Sequence, residues 1–206
     1  MTIYIVHRQN AKKNLLGMKK NDFHGIEIDL RTDSRKIIIA HDPFKKGLDF
    51  IKNIKLFKNY FLLIDVKSTG ISRKISKILT KNKIRFLFLN LISQEFIEMI
   101  KLGLSKHLFL RFSSYEKFNL NNKILKKIKW VWFDFFNNTS IKKAEYKYIK
   151  MHKKKICITS PDLLGKGSTA IRKLIDYLNK NKIKIDMVCV KKNNIKIWKK
   201  HYFSRS

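Results

Sequence analysis

Read for apolar and polar positions alone, the chain repeats one unit from end to end: a short apolar run, then a Lys-rich amphipathic segment. The apolar runs are 3–6, 25–30, 61–66, 85–90, 107–112, 130–135, 155–159 and 185–190. Most are near-continuously apolar, as parallel strands covered on both faces must be. The segments between and after them, 10–20, 47–58, 70–82, 93–103, 114–127, 138–152, 167–182 and 194–200, read as helices. Start signals are Ser93 with Glu95 early in the turn, Ser113 or Ser114 before Glu116, and Ser168 before Ile171, Leu174, Ile175 and Leu178. Gly103 is a stop signal ahead of the next run. Eight strand–helix units predict a closed (β/α)8 barrel, α/β in class, as a single domain over residues 1–206. An open doubly wound sheet is the alternative. The length is at the lower limit for a barrel, so loops and helices must be short, and no Gly-, Pro- or Ser-rich stretch reads as a linker.

Chemistry in such barrels gathers at the C-terminal strand ends. In Gly25-Ile26-Glu27-Ile28-Asp29-Leu30 two acids alternate with apolar residues, which puts both carboxylates on one face of a strand. Neighbouring acids repel unless something cationic lies between them. A bound divalent metal is the usual reason to keep such a pair; the alternative is a solvated face paired with nearby lysines. Upstream, Ile3–Val6 ends in His7-Arg8. Downstream, Ile37–Ala40 lies in the connection after the second run and delivers His41-Asp42-Pro43 to the same rim. Either histidine suits acid or base work near neutral pH. The third run ends in Asp65-Val66-Lys67, where Asp65 is a further metal ligand or a salt-bridge partner of Lys67. Asp134, among Trp130, Trp132, Phe133, Phe135 and Phe136, is a pocket-lining candidate in an otherwise core-like run. Trp198 either covers the site or packs the last helix. His24, His107, His152 and His201 read as structural or surface residues. Gly165-Lys166-Gly167 hints at a phosphate loop without a full phosphate-binding pattern.

His-Arg at one strand end, Glu-x-Asp on the next, a hydrophobic run into His-Asp, and a carboxylate-x-Lys strand end together resemble the glycerophosphodiester phosphodiesterases. These belong to the phospholipase-C-like phosphodiesterases of the TIM-barrel superfamily. The likeness is strongest over residues 1–70, with weaker echoes at Ser160-Pro161-Asp162-Leu163 and Asp186–Val190. It implies an acid/base pair His7 and His41, a divalent cation (Mg²⁺ or Ca²⁺) on Glu27, Asp29 and Asp65, and a substrate phosphate held by Arg8 and Lys67. The implied reaction is phosphodiester hydrolysis, in which the glycerol's neighbouring hydroxyl can attack to give a cyclic phosphate that water then opens. The chain departs from the family pattern in four places. Gln9 stands where Gly usually follows His-Arg. A Lys-containing stretch, Asn10 to Asn14, replaces a Glu-Asn-Thr motif. Asp65 stands for the usual Glu, and Val190-Lys191 ends the last run in place of Thr-Asp. A lysophospholipid or a glycan phosphodiester is the rival substrate, and a catalytically decayed basic binding protein is the rival function.

Composition changes the picture in one respect. The net charge is +32, yet the charge lies along the whole chain, and Lys, Ile and Asn are over-used together, as in an AT-rich coding sequence. Codon bias accounts for most of it, and a non-specific affinity for anionic membrane or nucleic acid follows. No obligate protein partner is indicated. Cys157 and Cys189 sit in apolar runs without ligand partners and read as buried free thiols, which suits a reducing compartment. No run approaches the length of a membrane span, so the cytoplasm is the expected location.

Overall fold

The structure, a computed structural model, describes residues 1–16, 23–113, 115–116, 123–135 and 141–202. In chain order the elements are β1 (Ile3–Val6), α1 (Lys12–Leu16), β2 (Gly25–Asp33), β3 (Lys36–Ile39), β4 (Leu48–Asp49), β5 (Phe61–Val66), α2 (Ser72–Lys81), β6 (Phe86–Leu89), α3 (Ser93–Lys101), β7 (Phe109–Ser113), α4 (Lys123–Lys127), β8 (Trp130–Asp134), α5 (Lys143–Met151), β9 (Lys155–Thr159), α6 (Ser168–Lys180), β10 (Met187–Val190) and α7 (Ile195–His201). Each of the eight apolar runs is a strand. They fall into two compact units, Met1–His7 with Phe109–Ser206, and Arg8–Leu108.

In the first unit the strand order is β1-β10-β9-β8-β7, parallel throughout. Its strands are apolar on both faces and buried: Ile5, Val6, Cys157, Val188 and Val190 are all out of contact with solvent. Both thiols are free and buried, as expected. Trp198 is fully buried and donates through Nε1 to Ser160 Oγ at 2.9 Å, so it packs α7 and covers no site. The Ser160–Leu163 stretch is also structural. Asp162 is buried, and its Oδ2 accepts from Lys191 N (2.9 Å) and Asn194 Nδ2 (2.8 Å), pinning the exit of β10. Gly165, at φ +77, closes the 3-10 turn Pro161–Leu164, and Gly167 directly precedes α6.

In the second unit β2 is central. It pairs in parallel with β5, and β5 with β6. Past the end of β5, β2 continues into a hairpin: β3 returns antiparallel with Leu30 opposite Ile39, and β4 pairs with β3. The segment 47–58, expected to be a helix, is therefore β4, a turn and a 3-10 turn over Ile54–Phe57. Polar side chains there compete for the backbone, with Asp49 Oδ1 accepting from Lys52 N at 2.9 Å. The apolar spacing that mimics a helix comes from Phe50 and Phe57, both buried with ring centroids 5.5 Å apart.

Each of the remaining segments holds a helix, but in 114–127 the described residues 115 and 116 form a bend and the helix covers only Lys123–Lys127. Two starts differ: Ser93 and Ser168 are first helical residues, after Ile92 and Gly167, and neither cap makes a side-chain hydrogen bond. Ser113 Oγ does accept from the Tyr115 and Glu116 amides, but α4 begins only at Lys123. Ser114, Phe136, residues 17–20, and the unmatched parts of 114–127 and 138–152 at 114, 117–122 and 138–140 lie outside the described residues. Gly103 follows α3 at φ +74 and stops it as expected.

Glu95 is buried and serves a neighbouring helix: its Oε1 accepts from the Ser72 amide at 3.0 Å and from the Ser72 hydroxyl. It thereby fixes the start of α2, and with it the loop that leaves β5 just past Asp65 and Lys67. Glu95→Ala leaves two buried donors unmatched. It is expected to lower unfolding stability in urea by about 2–3 kcal/mol, with Glu95→Gln losing less. An unchanged midpoint for Glu95→Ala would remove this contact from the account of how α2 is held.

Candidate active site

β2 and β5 build the site by register. Asp29 is paired with Asp65 across the two parallel strands, and Glu27 precedes Asp29 by one full pleat, so all three carboxylates share a face. Glu27 is 2% exposed and Asp29 1%. One oxygen from each of Glu27, Asp29 and Asp65 lies within 4.8 Å of the others. Hard, anionic oxygens at that spacing fit Mg²⁺ or Ca²⁺.

The trio carries its own charge problem. Burial, then the charge of Asp29 and more weakly of Asp65, pushes the Glu27 carboxyl up to about 8. A backbone donor opposes this: the Arg8 amide gives Glu27 Oε2 a hydrogen bond at 2.6 Å. Arg8 reaches that geometry with a left-handed backbone, φ +53, which is uncommon for a residue with a side chain. Its guanidinium stays about half exposed, 3.9 Å from Asp29 Oδ2. Lys67 Nζ lies 2.6 Å from Asp65 Oδ2 and 3.4 Å from Asp29 Oδ1. Burial alone pulls this ammonium down, but the two carboxylates outweigh it and hold the group above its ordinary value. The salt bridge anticipated for Asp65 is thus present, and it extends to Asp29.

Two amides complete the shell, and the sequence reading passed over both. Asn10 Nδ2 donates to Asp29 Oδ2 at 2.7 Å while its Oδ1 accepts from the Asp29 amide at 3.1 Å. Asn90 Nδ2 donates to Asp65 Oδ1 at 3.1 Å. Asn90 directly follows β6, so the strand-end rule that finds Asp65 also points to it. Asn10 gives no such signal, because it sits in the stretch that departs from the family pattern. Gln9, in place of Gly, is buried, with its amide bonded to the Glu27 carbonyl at 2.8 Å.

His41 follows the hairpin. Ala40 N bonds to Asp29 O at 3.1 Å, so the chain enters His41 alongside β2. Arg31 clamps the His41 carbonyl with Nε (2.9 Å) and Nη2 (2.8 Å). His41 Nδ1 is 2.7 Å from Asp42 Oδ1. That bond, with Arg8 and Lys45 nearby, holds the exposed Asp42 carboxyl below its ordinary range. The second unit therefore brings Arg8, Glu27, Asp29, Asp65 and Lys67 together, and it also carries His41, paired with Asp42. His7 ends β1 in the first unit, its amide bonded to the Val190 carbonyl at 3.0 Å, and is joined to Arg8 by one peptide bond.

Asp134 lies at the end of β8 in the first unit. Burial pushes its carboxyl up, against the Thr159 hydroxyl and Arg111, and among the described residues its Oδ1 meets no partner at hydrogen-bonding geometry. His107 stacks on Phe86 at 4.1 Å, and His152 Nδ1 is 2.9 Å from the Tyr148 carbonyl, so both are structural as expected.

No protein-family model matches the chain, and no curated protein matches it in sequence. Solved structures do match. A glycerophosphoryl diester phosphodiesterase from Parabacteroides distasonis is 11% identical over all of this chain and 89% of its own, with a TM-score of 0.66. An Oleispira antarctica phosphodiesterase, solved with its product sn-glycerol-3-phosphate, is 12% identical over 97% of this chain and 96% of its own, at 0.64. The tryptophan synthase α-subunit from Pyrococcus furiosus is 14% identical over 97% and 90%, at 0.54. The fold is thus α/β of the TIM-barrel class, the one the strand–helix alternation predicts, and it is the fold of glycerophosphoryl diester phosphodiesterases. Because a tryptophan synthase subunit shares it, function rests on the site.

Glu27 sets a pH dependence whose sign is fixed. The folded chain keeps the Glu27 proton up to about pH 8, whereas an unfolded glutamate releases it near 4.5. Stability without metal is full below that lower value and falls as pH rises through the upper one. The melting temperature in EDTA is expected to drop by about 5 °C or more between roughly pH 5 and 8.5. Glu27→Gln should abolish most of that drop, and added Ca²⁺ or Mg²⁺ should offset it increasingly as pH rises. Equal slopes for wild type and Glu27→Gln would show that the proton is held elsewhere.

Proposed function

We propose that the chain is a phosphoric diester hydrolase acting on a glycerophosphodiester, with residues 1–206 forming one catalytic domain. The observation that carries this reading is the Glu27–Asp29–Asp65 trio, two of its acids buried, with Arg8 and Lys67 against it and the His41–Asp42 pair in the same unit. A protein needs a reason to seal such acids together, and a divalent cation with a phosphate beside it is a sufficient one. The glycerol-3-phosphate product of the Oleispira antarctica phosphodiesterase supports a small phosphodiester substrate.

In this reading Glu27, Asp29 and Asp65 hold Mg²⁺ or Ca²⁺. When bound, the cation supplies positive charge against the phosphoryl oxygens. The half-exposed Arg8 guanidinium binds those oxygens in a forked geometry. Lys67, at the edge of the trio, keeps the carboxylates paired before substrate arrives and is the second phosphate contact. The Asp42 carboxylate beside His41 Nδ1 favours the tautomer protonated there, which leaves Nε2 to take a proton from the attacking hydroxyl or to give one to the leaving alkoxide. His7 takes the complementary role, carried over from the His-Arg motif. The P–O bond to the alcohol breaks, and that alcohol leaves with the donated proton. No described helix is long and apolar enough to cross a membrane; the cytoplasm is the proposed location.

The reading is tested on bis(p-nitrophenyl) phosphate and glycerophosphocholine with Mg²⁺, Ca²⁺ or EDTA. Wild type should turn over only with metal. His41→Ala should lose about 10²–10⁴-fold in kcat, the range for removing a general acid or base. Asp29→Asn should raise the metal concentration needed and lower turnover. Metal-dependent turnover that survives in His41→Ala would move the proton transfer to another group. No turnover with any metal would sink the hydrolase assignment.

A further inference from the structure

The turn between β3 and β4 begins at the catalytic candidate His41 and carries a residue that nothing in the hydrolytic site uses. Phe44 is fully exposed, and its backbone is left-handed at φ +58. Each feature is unfavourable: a large aromatic side chain forgoes burial, and a bulky residue is an outlier in that region of backbone space. Together they turn an apolar ring outward at a loop tip. On either side stand Pro43 and the exposed Lys45 and Lys46. Lys45 is close enough to help depress the Asp42 carboxyl, so it adjoins the His41–Asp42 pair.

An exposed aromatic ring followed directly by two ammonium groups matches the layering of an anionic lipid surface, with phosphates outside and acyl chains beneath, and the Asp42 carboxylate before Pro43 is already engaged by His41. We propose that residues 43–46 dock the protein on an anionic bilayer, with the Phe44 ring inserted below the headgroups and Lys45 and Lys46 against lipid phosphates. This rests on the phosphodiesterase reading for its second half: the substrate is then a lipid phosphodiester met at that surface, presented to His41 by the turn His41 begins. A single-stranded nucleic acid is the poorer fit. It favours several aromatic rings along a basic groove, whereas this tip carries one ring.

The net charge of +32 makes general attraction to anionic vesicles certain, so the experiment must separate the tip from the charge. Full-length protein is sedimented with vesicles of phosphatidylglycerol and phosphatidylcholine in about equal parts, and with phosphatidylcholine alone, at about 0.15 M salt. The variants are Phe44→Ser, Lys45→Glu with Lys46→Glu, and a charge-matched control on α6, Lys173→Glu with Lys180→Glu, both exposed. Phe44→Ser is expected to lose about tenfold or more in vesicle affinity. The loop lysine pair is expected to lose at least fivefold more than the α6 pair, since each membrane-proximal lysine contributes roughly fivefold. In Phe44→Trp, emission should shift to the blue on the anionic vesicles. Wild-type affinity in Phe44→Ser, or equal losses for the two lysine pairs, overturns the docking site. So does a Phe44→Ser defect confined to single-stranded RNA.

Failure of the enzymatic reading shows separately. If wild type hydrolyses no soluble diester, that reading falls while the vesicle data still decide the docking. If it does hydrolyse the soluble ester, Phe44→Ser should leave that rate unchanged and slow turnover of lysophosphatidylglycerol in vesicles about tenfold. Equal turnover of the vesicle substrate by wild type and Phe44→Ser would overturn the role of the tip in presenting lipid to the site.

Discussion

Like charges packed out of water are the constraint around which the second unit is built. Two of the three carboxylates are nearly inaccessible, and all three offer an oxygen within 4.8 Å of the others. Without compensation one must keep a proton, and Glu27 does. The rest of the neighbourhood supplies positive charge or donors: the Arg8 amide, the Lys67 ammonium and the amides of Asn10 and Asn90. Even the unusual backbone of Arg8 fits this demand, because it aims an N–H at Glu27. A cation larger in charge than lysine does the same work better, which is why the arrangement favours a divalent ion over a second ammonium.

Much of this was legible in the sequence, for a physical reason. Strands covered on both faces must be continuously apolar, so any acid within one is conspicuous, and Glu27 and Asp29 stand out for that reason. The strand positions follow from the same rule. Legibility fails where local competition decides. The 47–58 segment has helical spacing of its aromatics, yet Asp49 captures a backbone amide and the chain turns instead. Ser93 and Ser168 are good caps by type, but the helices start one residue earlier and use no side-chain cap. Glu95 looks like an ordinary first-turn acid; only the packing of α3 against α2 reveals that it serves Ser72. Lys67 shows the same limit. Its type and place suit phosphate contact, but whether it faces outward or across to Asp65 and Asp29 depends on register.

The likeness in fold to glycerophosphoryl diester phosphodiesterases at identities of 11–12% shows how little sequence the scaffold demands. A continuous apolar strand followed by an amphipathic helix tolerates almost any exchange among Ile, Leu, Val and Phe, and the solvent side accepts lysine nearly everywhere.

The hairpin that returns His41 to the acids has a consequence for how such a site is inherited. The separation between Asp29 and His41 is set by rungs of the ladder, Leu30 against Ile39 and Ala40 against Asp29, and not by the number of residues at the bend. Residues added in matched pairs at Thr32–Ile37 would lengthen the ribbon outward and leave the pairing of Ala40 with Asp29 intact. An odd insertion within the paired stretch would turn every side chain on β3 over and carry the imidazole's position with it. The tip at Ser34–Arg35 is thus free to evolve in length, while the short tract from Ile38 to His41 is bound to the acids as if it were part of the same strand.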